Sequence, residues 1–312
     1  MKKTSITKKF FYGFVIIFLI AIYNGAYADI SAEDLKKEYA NEHSKFIEIN
    51  GLQVHYRDEG KGFPIVLVHG TASSLHTWND WTTKLSKNYR VIRMDLPAFG
   101  LTGPNKIADY SIEAYTQFLH QFLSKIKLDK FYLAGNSLGG NIAWNYAAEY
   151  PEQIEKLILV DASGLPTNKP QPAIFKMAKT PFLNSLFLYV TPKFFIKKNM
   201  EQVYADDTKI TDALITRYHK MALRVGNRQA FIDRAKVDFK FRRRGKFREI
   251  KKHTNTYIIN LGSKRYLDTF RQRKTDEQSN AQFETSFFRK FWSCTNGRKS
   301  SRKLSDFKYF FE

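Results

Sequence analysis

The stretch FYLAGNSLGG, Phe131 to Gly140, sets Ser137 between Gly135 and Gly139 at G-x-S-x-G spacing. A serine hydroxyl becomes a useful nucleophile when a base takes its proton and nearby amides receive the oxyanion that follows. The pentapeptide suits that chemistry where a strand turns tightly into a helix, because the glycines leave room for strained backbone and the Oγ rises from the sheet edge. Phe131 to Ala134 has strand character and Leu138 onward has helix character. A glycine-flanked turn serine is the bland alternative. Upstream, HGTASS at His69 to Ser74 follows an apolar run. The His69-Gly70 pair lets the main chain turn there, so that the N–H groups of Thr71 and Leu138 are the expected oxyanion donors. His69 itself reads as a structural histidine that ties down the loop, not as the base.

The elements around these residues alternate in type. A polar, helix-like lead precedes KFIEING and LQVHYRDEG, two alternating strands joined at Asn50-Gly51, a hairpin signal. FPIVLVHG is a continuous apolar run, as expected of a strand buried on both faces of a parallel sheet. SSLHTWNDWTTKLSKN is helical in pattern, YRVIRMDLPAFG is strand then loop, and SIEAYTQFLHQFLSKIK is a helix with Ser111 as its cap. KFYLAGNS is strand, LGGNIAWNYAAEYP is helix stopped at Pro151, and IEKLILVDASG is strand again. Alternation of this kind predicts an α/β fold, a mostly parallel sheet with right-handed crossovers and helices on both faces. From Leu165 to Val237 the chain turns helical, which predicts an inserted helical cap, and TNTYIINLGS returns to the sheet. The expected divisions are a leader over 1–28, a first core part over 29–164, a cap over 165–237 and a second core part over 238–312.

VLVHGTASS, VIRMDLPAFGLTG and YLAGNSLGGNIAWNYAAEYPEQIEKLILVDASG, taken together and in this order, resemble the α/β-hydrolase superfamily. The likeness is to its esterase, lipase and C–C hydrolase members with a helical cap, and it covers roughly Phe46 to Arg248. It implies Ser137 as nucleophile and the Thr71 and Leu138 amides as oxyanion hole, with Gly70, Gly135 and Gly139 giving the backbone room. Serine where related dehalogenases and epoxide hydrolases carry aspartate favours ester or related acyl hydrolysis.

The same resemblance calls for an acid in a G-x-x-D turn and a base histidine in a G-H turn near the C-terminus. At the first place the chain reads LGSKRYLDTF, with Arg265 at the acid's position, and no histidine follows His253. Asp161, 24 positions after Ser137, is a substitute acid in some relatives, though a loop-capping aspartate is the commoner role of such a residue. Composition changes at the same point. Lys251 to Lys303 holds 13 Lys and Arg against 4 Asp and Glu, a surplus of nine, and loses apolar periodicity. A frame slip accounts for this. With suitably chosen codons, LGSKRYLDTF advanced by one base reads W-G-A-K-D-T-W-I-P, and WSCTNGRK reads G-H-V-P-M-E-E, restoring both turns in order. The expectation is a slip near Lys252 corrected near Leu304, so that 252–303 is anomalous.

Other features bound the partners. Lys2, Lys3, Lys8 and Lys9, the apolar Phe10 to Tyr23, and AYA at Ala26 to Ala28 read as an export signal. Cleavage would start the mature chain at Asp29, with an uncleaved membrane anchor as the alternative, so a periplasmic or secreted location is expected. With Cys294 as the one cysteine, no intrachain disulfide can form. Removing the four leader lysines and the surplus of nine from the net +21 leaves +8, an ordinary basic protein. FRRRGKFR, Phe241 to Arg248, is a solvated basic face by default and a candidate for membrane-surface contact; no nucleic-acid partner is expected. No zinc-spaced cluster, P-loop or dinucleotide fingerprint occurs, so neither metal nor cofactor is expected. Asp95 reads as structural, His219 as a cap residue, and His43, His55, His76 and His120 as surface or packing residues. The reading is thus an exported serine hydrolase of small apolar ester or acyl substrates, impaired as written by its missing triad partners. A catalytically inactive hydrolase fold and a C–C hydrolase are the alternatives.

Overall fold

The computed structural model describes residues 12, 13, 23, 26–164, 173–204, 206–237 and the backbone of 255–259. The leader's apolar core, the basic run 241–248, His253 and the frame-slip region beyond Ile259 lie outside the described residues.

Seven strands are described: β1 Ser44–Ile49, β2 Leu52–Glu59, β3 Pro64–Val68, β4 Arg90–Met94, β5 Phe131–Asn136, β6 Ile154–Val160 and β7 Asn255–Ile259. They form one sheet in the order β1-β2-β4-β3-β5-β6-β7. β1, β2 and β4 pair antiparallel, and every pair from β4 to β7 is parallel. The hairpin between β1 and β2 forms at Asn50 and Gly51, both at positive φ (51° and 76°), the backbone that Asn-Gly supplies cheaply. The parallel strands read as unbroken apolar runs because helices cover the sheet: Val66, Val68, Ile92, Met94, Leu133 and Leu157 are all fully buried.

The helices of the first core part are α1 Ala32–Tyr39, α2 Asn79–Leu85, α3 Ile112–Lys125 and α4 Leu138–Glu149. The segment expected as one helix around Trp78 is instead a 3₁₀ turn, Leu75–Trp78, followed by α2. α3 starts at Ser111, whose hydroxyl accepts from Ala114 N–H at 3.1 Å. Its buried side chains Ile112, Tyr115, Leu119 and Phe122 recur at helical spacing, and each fully buried one contributes roughly 1.5–3 kcal/mol. α4 ends at Tyr150, before Pro151, which cannot continue it. Between β6 and β7 lie α5 Ala173–Lys179, α6 Leu183–Phe187, α7 Lys193–Val203, α8 Asp212–Ala222 and α9 Asn227–Lys236.

The segment before α1 joins this helical part. Ala26 bridges Val190, Tyr27 N–H donates to Tyr189 O at 3.2 Å, and Ile30 exchanges bonds with Leu223 and Val225 at 2.8 and 3.0 Å. Asp29 Oδ1 accepts from the buried Arg228 guanidinium at 2.6 Å.

Candidate active site

β5 runs straight into α4, and Ser137 is the residue between them. Its backbone sits at φ 51°, ψ −111°, a conformation that a residue with a side chain adopts only at a cost on the order of 1–3 kcal/mol. Hydrogen bonds hold it there. Ser137 N–H donates to Val160 O at 3.0 Å, and Ser137 O accepts from Asn141 N–H at 3.0 Å and Ser163 N–H at 3.0 Å. The Ser163 hydroxyl adds a further bond to the same carbonyl at 3.2 Å.

The flanking glycines are demanded by space. A Cβ on Gly135 would lie 2.2 Å from Gly139 O, and one on Gly139 would lie 2.1 Å from Val68 O and 2.6 Å from His69 O. The end of β3 and the first turn of α4 therefore touch backbone to backbone. A Cβ on Gly70 would lie 3.2 Å from Ser137 Cβ, so the His69-Gly70 loop packs directly against the serine. Thr71 follows, half-buried, and Leu138, fully buried, opens α4. Of the two proposed oxyanion donors, Leu138 is bonded directly to Ser137, and Thr71 follows Gly70, the glycine that packs against it. The N-terminus of a twelve-residue helix adds its partial positive charge at the same place.

His69 is wholly buried, and its two ring nitrogens are committed: Nε2 accepts from Leu96 N–H at 2.9 Å, which leaves Nδ1–H to donate to Gly70 O at 2.7 Å. Burial holds its pKa below the usual histidine value. The ring is a brace between two loops.

No other described histidine reaches Ser137 Oγ. His55 Nδ1 donates to Asp95 Oδ2 at 2.8 Å, with both side chains fully buried. Asp95 also accepts from Leu75 N–H at 2.7 Å and Leu101 N–H at 2.8 Å. Burial alone would raise the Asp95 pKa, but the neighbouring His55, through charge and hydrogen bond, holds it well below the carboxylate range. His76, buried near Arg57 and Arg217, is pushed down to about 3, chiefly by burial. His120 stacks on Tyr150, with 4.1 Å between centroids, and His219 Nε2 donates to Thr191 O at 2.7 Å. His43 is exposed beside Glu42.

Asp161 directly follows Val160, the residue that receives the Ser137 amide, at φ 44°. That places the substitute acid next to the elbow across the β5–β6 pair, with no described histidine between the two. Sequence reasoning missed Ser163 and Asn141 as the clamps on Ser137. Their signal is the DASG run after β6, where Gly164 at φ 77° packs on Asn141: a Cβ there would lie 2.6 Å from its amide. A separate cavity of about 630 Å³ is lined by Tyr39, Arg57, His76, Thr216 and Arg217 among others, and Ser137 is not part of its wall. Among the described residues no group of three or more His, Cys, Asp or Glu is placed to hold a metal.

Comparison with known proteins gives a consistent picture. Residues 64–269 match the family described as alpha/beta hydrolase fold. A 2-hydroxy-6-oxo-2,4-heptadienoate hydrolase of Pseudomonas putida is 28% identical over 190 residues, 60% of this chain and 65% of that protein. A 2-hydroxy-6-oxo-6-phenylhexa-2,4-dienoate hydrolase of Burkholderia cepacia is 29% identical over 182 residues, 55% of this chain and 62% of that protein. The chain thus spans somewhat under two thirds of the length of these relatives. Among solved structures, Cfl2 of Burkholderia cenocepacia superposes with a TM-score of 0.58 at 20% identity, covering 70% of this chain and 87% of the other. A meta-cleavage product hydrolase superposes with a TM-score of 0.54 at 24% identity, covering 70% and 80%. At these identities the likeness is one of fold.

Proposed function

The chain belongs to the alpha/beta hydrolase fold family, and from that premise we propose that it derives from a serine hydrolase in which Ser137 attacks the carbonyl of a small apolar ester or acyl substrate. The strained backbone of Ser137, pinned between β5 and α4 with the Gly70 loop against it, is the observation that carries this reading. Attack forms a bond from Ser137 Oγ to the carbonyl carbon. The charge on the carbonyl oxygen falls to the Thr71 and Leu138 amides, and the alcohol departs with the serine proton. Water then hydrolyses the acyl-enzyme.

Proton transfer is the weak step in the chain as written, because each described histidine is engaged elsewhere. The frame slip supplies the missing acid and base. β7 keeps parallel register with β6 in the frame as written, from Lys156↔Asn255 to Val160↔Ile259, which favours a slip after Ile259 instead of near Lys252. The end of the family match at residue 269 favours it too.

A C–C hydrolase is the second reading, favoured by the dienoate substrates in the relatives' names. A catalytically silent fold is the third. Purified protein is incubated with a fluorophosphonate probe, a short-chain aryl ester and a 2-hydroxy-6-oxo-dienoate. Labelling that disappears in Ser137→Ala supports the serine hydrolase, and the preferred substrate separates the first two readings. Absence of both labelling and turnover selects the third.

For location, the leader supports export. No helix of the described residues is long and apolar enough to cross a membrane. The bonds made by Ala26 and Tyr27 favour the form that retains its leader over one that begins at Asp29.

A further inference from the structure

Two deeply buried arginines of this protein meet carboxylates: Arg93 donates to Glu59 at 2.7 Å and Arg228 to Asp29 at 2.6 Å. Arg57 is equally buried, at 6% exposure, yet no carboxylate among the described residues lies within ion-pair distance of it. Of the acids whose fields reach it, Glu59 is held by Arg93, Asp95 by His55, and Glu42 lies exposed. Its actual partners are neutral. Nε donates to Ser44 Oγ at 3.2 Å and Nη2 to Tyr39 O at 2.8 Å, with His76 Nε2 3.3 Å from Nη2. These contacts fix the plane of the guanidinium and leave Nη1 without an acceptor among the described residues. Arg217, half-buried on α8, has no acceptor for any of its nitrogens among the described residues, and its Nε is shut off from water. A guanidinium cannot shed its charge at neutral pH, so burial without a counter-charge is a standing cost.

Both arginines line the cavity of about 630 Å³, together with His76. The volume is that of a site for a small organic molecule. Burial first, and then the charges of Arg57 and Arg217, bring the pKa of His76 down to about 3, so this ring stays neutral and adds no charge. The wall also holds two acids. Glu38 is engaged, both of its oxygens accepting from Lys220 at 2.7 Å. Asp212, exposed in the first turn of α8, answers the charge of one arginine. A surplus of one positive charge remains in the cleft.

We propose that this cleft binds a small organic monocarboxylate, whose oxygens meet the guanidinium groups of Arg57 and Arg217 while its body occupies the rest of the cavity. A planar carboxylate matches the N–H fork of a guanidinium in shape, and its single charge matches the surplus of the wall. A phosphate dianion overshoots that surplus. The cleft has neither Ser137, Thr71 nor Leu138 in its wall and does not depend on their chemistry.

The test uses the full chain and 4-benzoylbenzoate, a carboxylate that cross-links to neighbouring C–H bonds under ultraviolet light, with its neutral amide as control. Adducts are located by peptide mass spectrometry. They should fall on the peptides that carry Tyr39 to Asn41 or Asp212 to Arg217, and benzoate should suppress them where benzamide does not. The amide on the parent chain, and the carboxylate on Arg217→Gln, should each give adducts there at least roughly fivefold fewer. Arg217→Gln breaks no hydrogen bond among the described residues, so its melting temperature should match the parent's. The comparison with the amide needs no variant and stands whatever that melt shows. Absence of adducts on those two peptides overturns the inference. So does equal labelling by the amide, or labelling that Arg217→Gln leaves unchanged.

Discussion

Ser163 donates both its backbone N–H and its hydroxyl to the carbonyl oxygen of Ser137, at 3.0 and 3.2 Å. The nucleophile's strained peptide is thus gripped from the loop after β6 as well as from α4. Ser163→Ala should remove one of three bonds to that oxygen and cost about 1 kcal/mol, while slowing fluorophosphonate labelling. Ser163→Thr keeps the hydroxyl and should restore both. An alanine variant that labels at the parental rate removes Ser163 from the site.

Glycine relieves the torsion of Ser137 and alanine does not. Ser137→Gly should therefore exceed Ser137→Ala in stability by about 1 kcal/mol, although glycine usually loses to alanine. Thermal melts of the two variants decide this. A less stable glycine variant would mean that the turn stores no strain.

Gly139 has no room for a methyl group, since the nearest atoms are backbone carbonyl oxygens that cannot rotate away. Gly139→Ala should cost at least about 3 kcal/mol, and by pushing β3 and α4 apart should abolish labelling of Ser137. Urea midpoints near the parental value refute this.

Acid should destabilise the protein in two stages. The pKa values of His69, His76 and His219 are all lowered by burial, that of His76 to about 3. Below about pH 6.5 the unfolded chain binds protons that the folded one refuses, so stability falls as pH falls, at up to about 1.4 kcal/mol per pH unit for each histidine. Asp95, whose folded pKa is depressed, contributes stability above about pH 4 that is lost as pH drops further. Urea midpoints at pH 7.5, 5.5 and 3.5 should fall progressively, with a shallower first step in His76→Gln. A flat profile from 7.5 to 5.5 contradicts the first stage.

Repairing the reading frame should restore catalysis. A chain carrying W-G-A-K-D and G-H-V-P-M-E-E in place of the present segment should hydrolyse an aryl ester at least about 10³-fold faster than the chain as written. Equal rates sink the frame-slip reading, as does coding DNA that holds neither turn in any frame.

Much of the sheet was legible because each strand and helix carries its own period. The Asn50-Gly51 turn, the Ser111 cap and the Pro151 stop act through local backbone chemistry. The elbow at Ser137 was legible for the same reason: its glycines are required by atoms a few residues away. The Asp95–His55 pair was not, since its partners lie 40 positions apart and only folding brings them together. Arg57 and Arg93, buried at 6% and 3% exposure on β2 and β4, are polar side chains that hide behind carbonyls and carboxylates contributed by other segments. The docking of Tyr27 and Asp29 was not legible for the same reason, since Tyr189 and Arg228 lie far along the chain, Arg228 199 positions after Asp29.

That docking has a mechanical consequence. Among the described residues, a pull on the N-terminal side meets the Ala26–Val190 bridge, next the bonds at Tyr27 and Asp29, and then Ile30. All of these partners lie in the segment between β6 and β7, Arg228 on α9 and the others in the connections between its helices, whereas the sheet begins only at Ser44. Load along the chain is therefore spent on the insertion before it reaches the strands that hold Ser137.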